Sequence, residues 1–190
     1  MKTIVRQGLV LFGLLTLLTG IVYPLAVTGL AQLFFPHQAN GSLAMRDGHV
    51  IGSELLAQKF VGNTYFHPRP SAGDYATVPS GASNLGPTSK TLRDAMAARA
   101  AAVRQENHVA ATVPVPPDLL TSSASGLDPH LSPAAVRLQF ERVAQARGFT
   151  PEQRARLDRL VTVLTEPPQW GILGEPRVNV LNLNLELDKL

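Results

Sequence analysis

The chain has 190 residues with 17 Lys+Arg against 14 Asp+Glu, enough for one medium domain and too short for two large ones. Lys2 and Arg6 precede the first apolar run, so residues 36–190 hold 15 basic against 14 acidic side chains, and aromatics are 6%; neither a basic face nor rows of stacking rings point to nucleic acid. Cys is absent, which excludes disulfides, thiol catalysis, Cys-ligated metal sites and a lipid-modified cysteine anchor.

From Gln7 to Phe35 there are 29 positions without a charge, more than the ~20 apolar residues a spanning helix needs. Pro24 would kink such a helix, which membrane segments tolerate better than soluble ones. A buried core helix and a cleaved signal peptide compete with this reading. Against the first stands the length of the run. Against the second, the apolar stretch continues past Ala31 into Leu33-Phe34-Phe35, longer than a signal-peptide core of about 7–15 residues. A retained single-pass anchor over 7–35 is favoured. Lys2 and Arg6 lie before it and the next basic residue is Arg46, so the positive-inside bias keeps residues 1–6 cytoplasmic and sends 36–190 outside, into the periplasm of a bacterium.

Beyond a turn-rich exit at 35–42, Ser42–Ile51 reads as a hairpin about Asp47-Gly48. Ser53 is expected to cap a short helix over Glu54–Phe60. Residues 62–87 are rich in Gly, Pro, Ser and Asn with no helical period, a long loop of the kind that is usually functional. Thr88–Gln105 reads as an Ala-rich helix with Leu92, Met96, Ala100 and Val103 near one face. Val109–Leu120 reads as a Pro-rich extended edge segment, and Ser122–Pro133 as a second loop. Ser132 and Pro133 start a helix striped by Val136, Phe140, Val143 and Ala144, which Gly148 ends. Thr150 and Gln153 form a capping box for the next, striped by Leu157, Leu160, Val161 and Leu164. The tail Arg177–Leu187 alternates as a strand in two phases, which a bulge near Val180-Leu181 would reconcile. The fold class is α+β: one N-terminal transmembrane helix followed by a single soluble α+β domain.

Motifs of chemistry are sparse. No phosphate-cradling Gly-x-x-x-x-Gly-Lys run exists, and the five His fall in no metal-ligand spacing. Ser125, Asp128 and His130 suggest a hydrolase triad, yet members so close in sequence rarely converge; Asp128-Pro129 as a turn explains them better. Tyr65–Pro70 offers aromatics, an imidazole and a guanidinium on a stiff frame. It reads either as a binding surface or as an ordered loop with Tyr65 and Phe66 inside and Arg69 paired with a carboxylate. The six Arg of residues 137–159 read as a solvated helix surface.

Several separated segments together resemble a known family. They are Tyr23-Pro24-Leu25 with Asn40-Gly41-Ser42, Ile51-Gly52-Ser53 with Gln58-Lys59-Phe60, Tyr65–Ser71, Ser80–Thr88, Val115–Pro133 and Gly174–Leu181. The family is the C subunit (KdpC) of the Kdp high-affinity potassium-transporting ATPase of bacterial inner membranes. Ala82 and Ala124 stand where its pattern usually has Gly. The resemblance implies an accessory subunit without its own active site or cofactor. It assembles with a channel-like A subunit and a P-type ATPase B subunit, which handle potassium and ATP, and raises the pump subunit's ATP affinity. Ser125, Gly126, Leu127 and Asp128, with Gln139, are by resemblance the nucleotide-linked stretch. With residues 36–190 outside, any effect on cytoplasmic ATP is expected to be allosteric. Small residues Gly8, Gly13, Gly20 and Gly29 are candidates for helix packing against partner subunits, and Tyr65, Phe66, His67, Arg69, Ser71 and Asn84 for partner contact. The alternative is a membrane-anchored periplasmic ligand-binding or hydrolytic domain acting alone.

Overall fold

The computed structural model describes residues 1–190, which divide into two compact units, Met1–Ile51 and Gly52–Leu190. In the first, helix α1 (Lys2–Leu17) runs through a π-helical turn (Leu18–Val22) into α2 (Tyr23–Phe34), giving 33 continuous helical residues, long and apolar enough to cross a membrane. The wide turn has a cause. Pro24 brings no N–H to the carbonyl four residues back and its ring crowds the preceding turn, and a π-turn relieves both. No residue of this helix is buried in the protein, so it is not a core helix. Thr19 Oγ1 donates to Leu15 O at 2.8 Å, which satisfies a hydroxyl on an apolar rod. After the short helix α3 (Pro36–Ala39), the Asn40 and Gln32 side-chain amides bond each other at 3.2 and 3.3 Å, tying the exit back to α2. Strands β1 (Leu43–Arg46) and β2 (His49–Ser53) form the expected hairpin. Its turn residues Asp47 and Gly48 have φ of 51° and 77°, the pairing that matches the twist of two antiparallel strands.

The second unit packs helices against a three-stranded sheet of order β3-β5-β4. Helix α4 (Lys90–Glu106) starts at Ser89, whose hydroxyl accepts from Leu92 N. Strand β3 (His130–Leu131) is followed by α5 (Pro133–Ala146), capped by Ser132, and α6 (Pro151–Val163), opened by the Thr150–Gln153 capping box. Strand β4 (Thr165–Glu166) and β5 (Arg177–Asn179) lead into α7 (Val180–Leu187). Central β5 pairs antiparallel with both neighbours, Leu131 and Thr165 flanking Val178. Phe66, Leu131, Val136, Val143, Leu157, Val161, Val178, Leu183 and Leu187 form one buried core. Residues 62–87 carry no helix or strand, as their composition implied.

Three expectations are corrected. Glu54–Phe60 is not a helix: Ser53 Oγ accepts from Leu55 N and its carbonyl from Leu56 N, one turn, after which Ala57 N donates across to Leu127 O. Val109–Leu120 pairs with no strand and ends in a 3₁₀ turn, Pro117–Leu119, as its prolines supply preset φ but no ladder donors. The tail is strand then helix. Asn179 caps α7 by accepting from Asn182 N, and Val180, Leu183, Asn184 and Leu187 are buried at the i, i+3, i+4, i+7 spacing of one helical face.

Candidate functional site

The irregular segment 62–67 is held by side chains rather than by a ladder. Each carbonyl from Gly62 to His67 receives a side-chain donor. His67 Nε2 lies 2.9 Å from Gly62 O, Arg142 Nη1 donates to Asn63 O and Tyr65 O at 2.9 and 3.0 Å, and Arg147 Nε donates to Thr64 O at 2.7 Å. Asn184 Nδ2 donates to Phe66 O at 2.9 Å while its Oδ1 accepts from Phe66 N at 2.9 Å. Gln139 does the same for His67, at 3.0 and 2.8 Å. Phe66 is fully buried and its backbone groups must be paired; Asn184 of α7 pairs them, and Gln139 and Arg142 of α5 do the same for the part-buried neighbours, as a neighbouring strand would otherwise do.

Arg142 is 3% exposed, so the reading of the α5–α6 arginines as a solvated surface fails at this residue. Its Nε donates to Asn107 Oδ1 at 2.9 Å and its Nη2 to Gln139 Oε1 at 2.8 Å. Burial pushes its pKa down while the nearby Glu106 carboxylate opposes the shift. Glu106 Oε1 lies 4.0 Å from Arg142 Nε and 2.9 Å from His67 Nδ1, so one carboxylate on α4 serves both the buried guanidinium and the loop. Arg147 stacks 4.9 Å over the Tyr65 ring and pairs with Asp188 at 2.8 Å, the position a cation takes over an aromatic face.

Beyond His67 the loop meets two other segments. Arg69 Nη1 pairs with Asp128 Oδ2 at 2.8 Å. Burial raises the Asp128 pKa, but hydrogen bonds from the His130 ring and backbone N–H and from Arg69 outweigh it and hold the carboxyl at about 2. Gly126 has φ +72°, and a Cβ there would stand 3.1 Å from both Gly81 O and Ser71 Oγ. Three loops therefore cross where only glycine fits without displacing a neighbour. Ser71 Oγ also accepts from Gly73 N and Tyr75 N. Tyr75, whose hydroxyl is pushed up by burial and then by Asp74, donates to Arg69 O at 2.8 Å. Ala82 and Ala124 both have negative φ, so neither strains its turn.

The structure brings Arg69, Ser71 and the Gly126–Asp128 segment together at one crossing, gathers Tyr65, His67 and Gln139 about Arg142 instead, and leaves Asn84 exposed on its own stretch of loop. Two placements are corrections. Phe66 is fully buried, an anchor of the loop rather than a surface for a partner, and the reading with both aromatics inward and Arg69 ion-paired is the one observed. Gln139 is 2% exposed with its amide engaged by His67 and Arg142, so it braces the loop from inside rather than presenting a surface. Ser125 Oγ accepts from Leu127 N, and Asp128 accepts from His130 N at 3.0 Å; these are turn contacts, not a triad. A cavity of about 440 Å³ beside Asp128 is lined by Arg69, Asp118, His130, Ser132 and Arg177 among others. Arg69 and Arg177 are already paired with Asp128 and Glu166, so the cavity offers no surplus of positive charge to a phosphate chain. Asn184 and Arg142 were missed by sequence reasoning, although each interrupts the apolar face of its helix.

The fold and site define a class: one apolar helix able to cross a membrane, and an α+β unit whose irregular loops are locked by buried polar side chains. The chain matches, over residues 5–189, the family described as K+-transporting ATPase, c chain. It is 59% identical to the potassium-transporting ATPase KdpC subunit of Rhodospirillum rubrum, covering 97% of this chain and 94% of the relative. It is 53% identical to that of Nitratidesulfovibrio vulgaris over 100% and 96%, and 53% identical to that of Mycobacterium bovis over 92% of each. The chain belongs to the KdpC family.

Proposed function

We propose that this chain is an accessory, non-catalytic subunit of an ATP-driven potassium import complex in the bacterial inner membrane. Residues 7–35 anchor it, residues 1–6 face the cytoplasm and residues 36–190 stand in the periplasm. It assembles with a channel-like subunit that takes potassium and a P-type pump subunit that takes ATP, and it raises the pump's apparent ATP affinity through subunit contacts. The observation that carries this reading is the match to the c chain of a potassium-transporting ATPase along residues 5–189. The orientation is supported by Lys2 and Arg6 at one end of a helix with no basic residue until Arg46 at the other. The allosteric form of the ATP effect is supported by Gly126 and Asp128 at the loop crossing and by Gln139 beneath His67, each engaged with the protein itself.

The test is gentle-detergent purification of the tagged full-length chain from potassium-starved cells, with mass spectrometry and a potassium-stimulated ATPase assay. Recovery of a pump and a channel-like subunit, with activity that falls when this chain is deleted, is expected. Recovery of the chain alone would overturn the reading.

A further inference from the structure

Strands β4 and β5 are the two legs of a hairpin whose tip performs no work inside the fold. Gln169 and Leu173 close it with two backbone hydrogen bonds of 2.8 and 2.9 Å, and Pro167, Pro168 and Pro176 stiffen its legs. Trp170 and Gly171 occupy the turn with φ of 53° and 78°. Asn or Asp is favoured at the first of these positions and a bulky residue is disfavoured. The ring gives nothing back in packing: Trp170 is 86% exposed, beside Ile172 at 81% and Leu173 at 49%. No hydrogen bond engages the indole N–H, and no charge falls between Pro167 and Gly174.

We infer that this tip inserts into the headgroup–acyl boundary of the membrane that the chain's own helix crosses, as a second point of attachment. The inference rests on the anchored reading above. Trp is the side chain whose amphipathic ring suits that boundary. The helix tethers the domain to the surface: residues 36–51 separate its end from the second unit, at most about 55 Å of extended chain. Polar Gln169 and acidic Glu166 and Glu175 border the patch, so it does not extend. Those acidic neighbours also mean that attachment is apolar and needs no anionic lipid.

Trp170 is the sole tryptophan, so the native chain carries its own probe. Full-length protein is reconstituted into phosphatidylcholine vesicles and floated on a density gradient after a high-salt wash, then excited selectively at Trp. The expected result is emission at shorter wavelength than in the urea-unfolded chain, quenching by lipids brominated near the headgroup, and shielding from aqueous iodide, all unchanged by salt. Ile172→Glu should abolish lipid quenching while leaving flotation and the melting temperature unchanged. Iodide-accessible Trp170 without lipid quenching in floated vesicles overturns the inference and leaves the anchor intact. So does shielding that appears only on assembly with other subunits, or only at high protein-to-lipid ratio, which would assign the tip to a partner subunit or a second copy. A chain that does not float removes the anchor and this inference together.

Discussion

Asn184 devotes its whole amide to the backbone of Phe66, and Gln139 bonds both backbone groups of His67 while its Oε1 also accepts from Arg142 Nη2; both side chains are almost completely buried. Replacing either by Leu keeps the volume close but strands a backbone N–H and a carbonyl, each costing about 1–3 kcal/mol when buried without a partner. Gln139→Leu and Asn184→Leu should each lower the stability of the full chain by about 3 kcal/mol, read by urea unfolding followed with circular dichroism. A loss under about 1 kcal/mol would mean that water replaces the amide. Asp128 makes a prediction in pH. Its folded value of about 2 lies below the ordinary 3.8, so its contribution is complete above pH ~4 and is lost as pH falls from about 4 to 2. Discounted for partial exposure, that contribution is about 1–2 kcal/mol. Asp128→Asn should therefore be less stable than wild type at pH 7, with the two melting curves converging toward pH 2. Parallel curves over that window would remove the Arg69–Asp128–His130 contacts as the cause.

At the scale of elements, the membrane helix buries no residue against its own chain, its tie to the exit being the Gln32–Asn40 amide pair. A Cβ on Gly8, Gly13, Gly20 or Gly29 would meet no atom within 4 Å, so larger residues there cost the isolated chain nothing by collision. Gly13 and Gly20 are seven residues apart, close to two helical turns. Gly13→Leu and Gly20→Leu should leave the second unit's melting temperature unchanged but reduce co-purification with partner subunits. Undiminished recovery of the complex would show that these glycines do not face a neighbour. Elements with punctuation were legible in the sequence: Asp47-Gly48, Ser132-Pro133 and Thr150–Gln153 each carry their own local chemistry. The tail was not, because Asn182-Leu183-Asn184-Leu185 alternates as a strand while also fitting a helical face once Asn184 is allowed inside. The loop's scaffold was hidden for the same reason. Arg142 read as part of a solvated arginine face and Gln139 and Asn184 were given no part in the core, and the signal against that was a 26-residue stretch with aromatics to bury and no ladder to satisfy its backbone.

For the whole molecule, orientation decides what kind of mechanism is available. The chain lacks Cys, so single cysteines can be placed at exposed positions on either side of the helix without background. Thr3 and Ser80 are exposed, one before the helix and one in the long loop. With a membrane-impermeant maleimide on intact spheroplasts, Ser80→Cys should label and Thr3→Cys should label only after lysis. The reverse pattern would place the α+β unit in the cytoplasm and reopen direct nucleotide contact. If Ser80→Cys labels from outside, the unit and cytoplasmic ATP are on opposite faces of the bilayer, and their coupling has to pass through subunits that span it. Such couplings are typically 1–3 kcal/mol, or about 5–150-fold in affinity. Removing this chain from the assembled complex should therefore raise the pump's KM for ATP within that range, while a photoreactive ATP analogue cross-links to the pump subunit and never to this chain. A locked loop crossing suits that role. Coupling across a membrane is transmitted by elements that move as rigid bodies, and 62–67 is fixed to α4, α5 and α7 by side-chain contacts rather than left free to absorb the displacement.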